Sequence, residues 1–190
     1  MIVGWTLVNS CIETSHSLKM EEMISFFKDK NLIPANSRVA LGQKFLDYDY
    51  RGKGIMDLAT TIQEEITSSK FDIYLSTVQR TNKPSEFFFK KNSFKLIYED
   101  DIRFYFTKPV IKKNIPLVQV LHIEIDNTKT TVTIRPSQIG DEIQLHELNK
   151  KWLKENRRGD LSKGFLHVLY SPDEFLKMIK LKEVVICEIN

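Results

Sequence analysis

Two cysteines in 190 residues, no long apolar run and almost no charge imbalance set several protein classes aside. Cys11 and Cys187 lie near opposite ends of the chain with no metal-ligand spacing around either, so a disulfide framework or a cysteine metal site is not expected. Such usage fits a reducing cytoplasm. No stretch approaches the ~18 apolar residues of a membrane span. The first residues, Met1 to Trp5, lack the charged region and apolar core of a signal peptide, so neither membrane insertion nor secretion is expected. Against 28 Lys+Arg stand 25 Asp+Glu, a net charge of +3. No basic stripe interleaves with aromatics, and nucleic acid is not an expected partner. Glycine and proline number only seven and six, and no segment is repetitive or of low complexity.

What remains is an ordinary globular composition, 42% hydrophobic and 28% charged. A chain of about 150 residues or more buries some two-thirds of its unfolded surface and needs no covalent staple. Residues 2–8 read as a strand by their β-branched and aromatic content. A helix is expected over 17–30, ended by Asn31 and Pro34, then a strand over 38–47. Over 54–68, Ile55, Leu58, Ile62 and Ile66 trace a helical stripe that leaves Glu64 and Glu65 off it. A strand over 71–78, a helix over 83–92 and strands over 94–98 and 102–107 complete a mixed α/β order. Lys112 to Pro116 reads as a connector, followed by an alternating stretch from Leu117 to Ile125 and a polar turn from Asp126. The pattern then predicts a strand over 130–135, helices near 138–156 and 172–180, and a last strand over 183–189. Ser171-Pro-Asp-Glu174 is a capping box opening the second of those helices.

The chemistry concentrates in Asp47-Tyr-Asp-Tyr-Arg-Gly-Lys-Gly-Ile-Met56, between a strand and a helix. Gly52 and Gly54 permit close backbone approach, and the first N–H groups of the following helix lack intrahelical partners. The helix dipole adds partial positive charge, and Arg51 and Lys53 add full charges. A pyrophosphate suits such a place; a plain strand–helix turn with two solvated basic residues is the alternative.

This segment resembles the Arg/Gln-x-x-Gly-x-Gly/Ala signature of the GNAT superfamily of N-acetyltransferases. Arg51 and Gly54 fill two fixed positions, and Met56 stands where a small residue is typical. The preceding strand, Ala40 to Leu46, resembles the family's splayed fourth strand, whose backbone pairs with pantetheine. Further on, Asn82-Lys-Pro-Ser-Glu-Phe-Phe-Phe-Lys-Lys-Asn-Ser-Phe94 is similar to a second signature, Asn-x-x-Ala-x-x-x-Tyr-x-x-x-Gly-Phe. Asn82 and Phe94 match, Ser85 replaces Ala, Ser93 replaces Gly and Phe89 replaces the tyrosine that donates a proton to the leaving thiolate. Phenylalanine has no O–H to give. A thiolate with a pKa near ~8.5 leaves without an obligatory acid.

The resemblance implies an α/β (α+β) fold: a mixed, mostly antiparallel central sheet flanked by helices. It also implies a displaced order. Residues 131–136, the helices near 138–156 and 172–180, and the strand 183–189 resemble the family's opening strand, two helices and second strand. Residues 2–8 resemble its third strand, so the chain reads as circularly permuted across the hairpin between Asn190 and Met1. On this reading 1–110 carries the third to last strands and the acetyl-CoA site, 111–130 connects, and 131–190 completes the same sheet. Completion is within one chain, by exchange in a homodimer, or as a remnant of two tandem domains.

The function implied is acetyl transfer from acetyl-CoA to the primary amine of a small molecule or peptide. The cofactor-binding residues implied are Phe45, Leu46, Arg51, Gly52, Lys53, Gly54, Ile55, Met56, Asn82 and Phe89. Gln43 on the splayed strand and Asp47 after it are the candidates to orient or deprotonate the amine, with Asp49 and Glu86 as further acids. The alternative is a GNAT-like module that senses or holds acyl-CoA without turnover. No metal is expected: His16, His122, His146 and His167 share no ligand spacing.

Overall fold

A computed structural model describes residues 1–9, 17–153, 166 and 168–189. The strands are β1 (Ile2–Asn9), β2 (Val39–Leu46), β3 (Ile73–Gln79), β4 (Lys95–Glu99), β5 (Arg103–Pro109), β6 (Gln119–Ile125), β7 (Thr128–Pro136) and β8 (Val184–Ile189). The helices are α1 (Ser17–Asp29), α2 (Ile55–Thr67), α3 (Lys83–Lys91), α4 (Glu142–Lys151) and α5 (Pro172–Lys180). The fold is α+β with mostly antiparallel strand pairing. The chain divides into two compact units. One comprises Met1–Leu7, Lys44–Ile66 and Lys113–Asn190; the other comprises Val8–Gln43 and Thr67–Lys112.

In the first unit the strands run β1-β8-β7-β6, all antiparallel. β8 is buried on both faces, from Val184 through Cys187. Val185 and Cys187 pack with Val3, Val132 and Ile134 against Ile55, Ala59 and Ile62 of α2. The opposite face carries Trp5, whose ring meets Phe45 at 6.1 Å and Phe175 of α5 at 6.3 Å. Phe45 in turn meets Trp152 at 5.3 Å, just past α4. Helices therefore cover both faces, α2 one and α4 with α5 the other. Gly4 is required by closeness: an added Cβ would lie 2.8 Å from the Phe45 carbonyl oxygen.

Three details of this unit differ from the sequence expectation. Residues 119–125 within the connector form β6, because Leu121 and Ile123 pack onto the α2-side core while Val120, His122 and Glu124 stay exposed. Glu64, expected off the apolar stripe of α2, is fully buried, with its carboxylate 3.5 Å from Lys113 Nζ. Its neighbour Glu65 accepts the N–H groups of Lys113 and Asn114 at 2.7 and 2.6 Å, which ties α2 to the segment entering β6. Third, α4 begins at Glu142 because Arg135 grips Asp141 through two hydrogen bonds, and Asp141 also accepts from the Gln138 N–H at 2.8 Å. The expected extension of that helix to 156 lies outside the described residues beyond Leu153, as do Cys11, His16 and His167.

In the second unit the order is β4-β5-β3-β2. Tyr74 and Val78 of β3 face Phe89, Phe94, Phe104 and Phe106, the core under α3. Leu75, with Ile73, faces Phe27, Met23 and Ile24 of α1 on the other side. β2 and β3 are parallel, but their ladder covers only Val39–Leu41 against Ile73–Leu75. β2 continues to Leu46 and β3 to Gln79, so the two strands part company after three pairs. At the fork Ser76 Oγ donates to the Gly42 carbonyl at 3.3 Å.

The scarcity of glycine has a visible outcome. Helices α1, α3 and α5 each end in a left-handed residue that is not glycine: Asn31 (φ 54°), Ser93 (φ 63°) and Lys182 (φ 55°). The following N–H closes each helix by reaching back five residues, Leu32 to Phe27, Phe94 to Phe89 and Glu183 to Met178. Asp126 and Asn127, both at positive φ, make the two-residue turn between β6 and β7.

Candidate functional site

Asp47 directly follows β2 and starts the loop. Its N–H donates to the Val3 carbonyl at 2.9 Å, and its Oδ1 accepts the Tyr48 N–H at 2.7 Å, capping a single 3-10 turn over Tyr48–Tyr50. Arg51 leaves that turn in extended conformation. Its Nε donates to the Leu46 carbonyl at 2.9 Å, and its guanidinium carbon stands 5.5 Å from the Tyr48 ring centroid. Nearby protein desolvates the guanidinium and pulls its pKa down, while Asp47 and Tyr48 act the other way. One nitrogen is thus committed to the backbone, and neither terminal nitrogen is hydrogen-bonded among the described residues.

Gly52 and Gly54 take φ of 75° and 79°, where a side chain is strained, and a Cβ at either position would meet nothing within 4 Å. Both glycines are needed for backbone direction, and the space above them is open. The Gly54 carbonyl accepts the first helical bond, from the Leu58 N–H at 3.2 Å. Gly54 therefore caps α2. The N–H groups of Gly52, Lys53, Gly54, Ile55 and Met56 have no acceptor among the described residues. Ile55 anchors the helix by full burial, and Met56 tucks half-buried against the same core. Residues 51–54 are exposed, with Lys53 adding a charge and Asp57 the one acid in the first helical turn.

Four residues before Arg51, Asp47 Oδ2 lies 3.1 Å from Lys151 Nζ in the last turn of α4. That lysine, 104 positions away, carried no sequence signal; only the fold brings it to the end of β2. Its ammonium also stands 5.6 Å from the Trp152 ring centroid. Phe45 and Leu46 are buried, with their side chains in the core. Any part they take in binding runs through their backbone. Burial first, then Asp47 and Asp49, raise the pKa of Tyr50, which remains a neutral phenol packed on the core.

The remaining candidates belong to the second unit. Gln43 is half-buried, and its amide has no hydrogen-bond partner among the described residues. Asn82 caps α3, its side chain accepting the Ser85 N–H at 3.2 Å. Phe89 is buried, stacked on Phe106 at 5.6 Å and edge-on to Phe94 at 4.8 Å. Hydrogen bonds from Lys90 and Lys83 hold the Glu86 carboxyl below its usual range, which makes it a poor base. Ser93, where the second signature has glycine, adopts the left-handed conformation regardless. Among the described residues no group of three or more His, Cys, Asp or Glu is placed to hold a metal, and no helix is long and apolar enough to cross a membrane.

Chemically, the loop combines a row of backbone donors and a guanidinium whose terminal nitrogens have no partner among the described residues with a helix dipole, features suited to an anion. No protein-family model, curated protein or solved structure matches the chain.

Proposed function

We propose that this chain is a circularly permuted protein of GNAT type that binds acetyl-CoA at the Arg51–Met56 loop and passes the acetyl group to a primary amine. The observation that carries the reading is the run of N–H groups from Gly52 to Met56 that have no acceptor among the described residues, held open by two glycines at positive φ beside Arg51. Backbone donors at a helix start are suited to a pyrophosphate.

Two features of the fold support it. In the first unit the succession β7, α4, α5, β8, β1 is that of the family's opening, with β8 pairing β1 in the same chain. In the second unit β2 parts from β3 after Leu41, as a splayed fourth strand does, and leaves the pantetheine arm a place to pair. The amine attacks the thioester carbonyl directly, and strand N–H groups stabilise charge on its oxygen. The C–S bond breaks and coenzyme A leaves as thiolate, unassisted by position 89.

A second reading, an acyl-CoA-binding module without turnover, is favoured by one observation: Phe89 has no hydroxyl and its ring is committed to the core. Calorimetric titration with acetyl-CoA tests the binding both readings require. Release of free coenzyme A with a panel of amines then separates them. One site per chain, weakened by Arg51→Glu, with amine-dependent release supports the transferase. Binding without release supports the module, and folded protein that binds no coenzyme A thioester overturns both.

A further inference from the structure

Lys151 is itself a primary amine, ion-paired to Asp47 four residues before Arg51, and we propose that it is a site of self-acetylation. The inference rests on the acetyl-CoA reading above. Its nitrogen is 3.1 Å from Asp47 Oδ2, and Asp47 directly follows β2 on the way into the Arg51–Met56 loop. Both residues and the whole loop belong to the first unit, so the juxtaposition is internal to one compact body.

The pair is arranged for access as well as contact. The Lys151 side chain is 61% exposed and that of Asp47 14%, so one oxygen of a mostly covered carboxylate holds an amine that solvent still reaches. The other oxygen is engaged by the Tyr48 N–H, which fixes the carboxylate's orientation. On the far side, the Trp152 ring lies under the ammonium, and Trp152 is braced by Phe45. Other amines of this unit are differently disposed: Lys113 is paired with the buried Glu64, and Lys53 stands within the loop itself.

The step balances without further reagents. The ammonium gives one proton to Asp47, from which it passes to water. The neutral Nζ bonds to the acetyl carbon, the C–S bond breaks, the thiolate carries away the electron pair, and the second nitrogen proton passes to water to leave a neutral amide. Holding the amine in place turns a bimolecular encounter into a step within one complex. Acetylation erases the ammonium, so Asp47 Oδ2 loses its ion-pair partner while Oδ1 keeps the Tyr48 N–H. An external ammonium group then has a vacated carboxylate oxygen to bind.

The test is to incubate the purified full chain with acetyl-CoA, follow intact mass, and locate the added group by peptide mapping. One acetyl group on Lys151 is expected, at a rate independent of protein concentration. Lys151→Arg, which keeps the charge, should abolish the label while retaining circular dichroism and acetyl-CoA binding. Asp47→Asn should slow labelling about a hundredfold, and Arg51→Glu should reduce it to the level of free lysine. Unlabelled Lys151 in protein that binds acetyl-CoA overturns the self-acetylation alone. Label spread evenly over exposed lysines such as Lys53 and Lys180 overturns it too. Absence of binding overturns the acetyl-CoA reading, and this inference with it.

Discussion

Met1 and Ile189 exchange two backbone hydrogen bonds, each 2.9 Å, so the first and last described residues form a bonded pair of one antiparallel ladder. Joining the ends across this pair by a short turn, and reopening the chain at the Asp126–Asn127 turn, places β7 first. Few contacts cross an exposed hairpin tip, so such a rearrangement is tolerable. The re-permuted chain should show an unchanged circular dichroism spectrum and a Tm within a few degrees of the parent. A chain that fails to fold would show that β6 and β7 must stay covalently joined.

Arg51 and Gly54 should separate in their effects. Arg51→Ala removes a guanidinium that bonds the Leu46 carbonyl but lies outside the core, so acetyl-CoA affinity should fall about tenfold to a hundredfold, the worth of one charge-assisted contact, with little change in Tm. Gly54→Ala places a side chain at φ 79° and should cost about 1–2 kcal/mol of stability, besides disturbing the cap. Calorimetry and thermal melts on the two variants check both. Raising salt should weaken binding in the parent more than in Arg51→Ala.

The helix closures at Asn31, Ser93 and Lys182 carry strain that glycine would relieve. Ser93 is exposed and its side chain has no hydrogen-bond partner among the described residues, so Ser93→Gly should stabilise the protein by about 1 kcal/mol. Denaturant unfolding should show a higher midpoint at unchanged slope. A lower midpoint would mean that flexibility gained in the unfolded chain outweighs the strain removed.

Tyr105 and Asp100 predict behaviour at both ends of the pH scale. The Tyr105 hydroxyl donates to Asp100 Oδ2 at 2.7 Å, and Asp100 also accepts the N–H groups of Ile102 and Arg103. These bonds, that of Tyr105 first, hold the Asp100 carboxyl below its usual range. Burial, then the bond to Asp100, pushes the Tyr105 phenol up to about 12. The lowered acid contributes stability above its unfolded pKa near ~3.9, lost as pH falls through the folded value. The raised phenol contributes below its unfolded pKa near ~10, lost as pH rises through the folded one. Tyr105→Phe should lower stability most at intermediate pH, with the difference from the parent shrinking toward both ends. In an alkaline absorbance titration it should remove a phenol that ionises late.

The sequence was most legible where side chains repeat with the period of their element. β8, α2 and α5 fall within a residue or two of expectation because buried positions recur at fixed spacing and caps such as Ser171 and Glu174 mark boundaries. The loop from Asp47 to Met56 was legible through its glycines. The burial of Glu64 was not, because it depends on Lys113, far along the chain. The link from Asp47 to Lys151 was equally hidden: an ion pair between distant positions leaves no periodicity to read. Ser93 stands where the second signature has glycine, and the chain adopts the left-handed conformation there anyway.

The pairing of β1 with β8 sets a schedule for synthesis. Ile2 to Leu7 leave the ribosome long before Val184 to Glu188, which cover one flank of that strand. Until then an apolar strand with Trp5 at its centre has an open edge, and such edges are where nascent chains associate wrongly. Closing a loop of this length adds to the barrier. Productive folding of the first unit therefore waits on β8, and chaperone dependence should be greatest for β1 during translation.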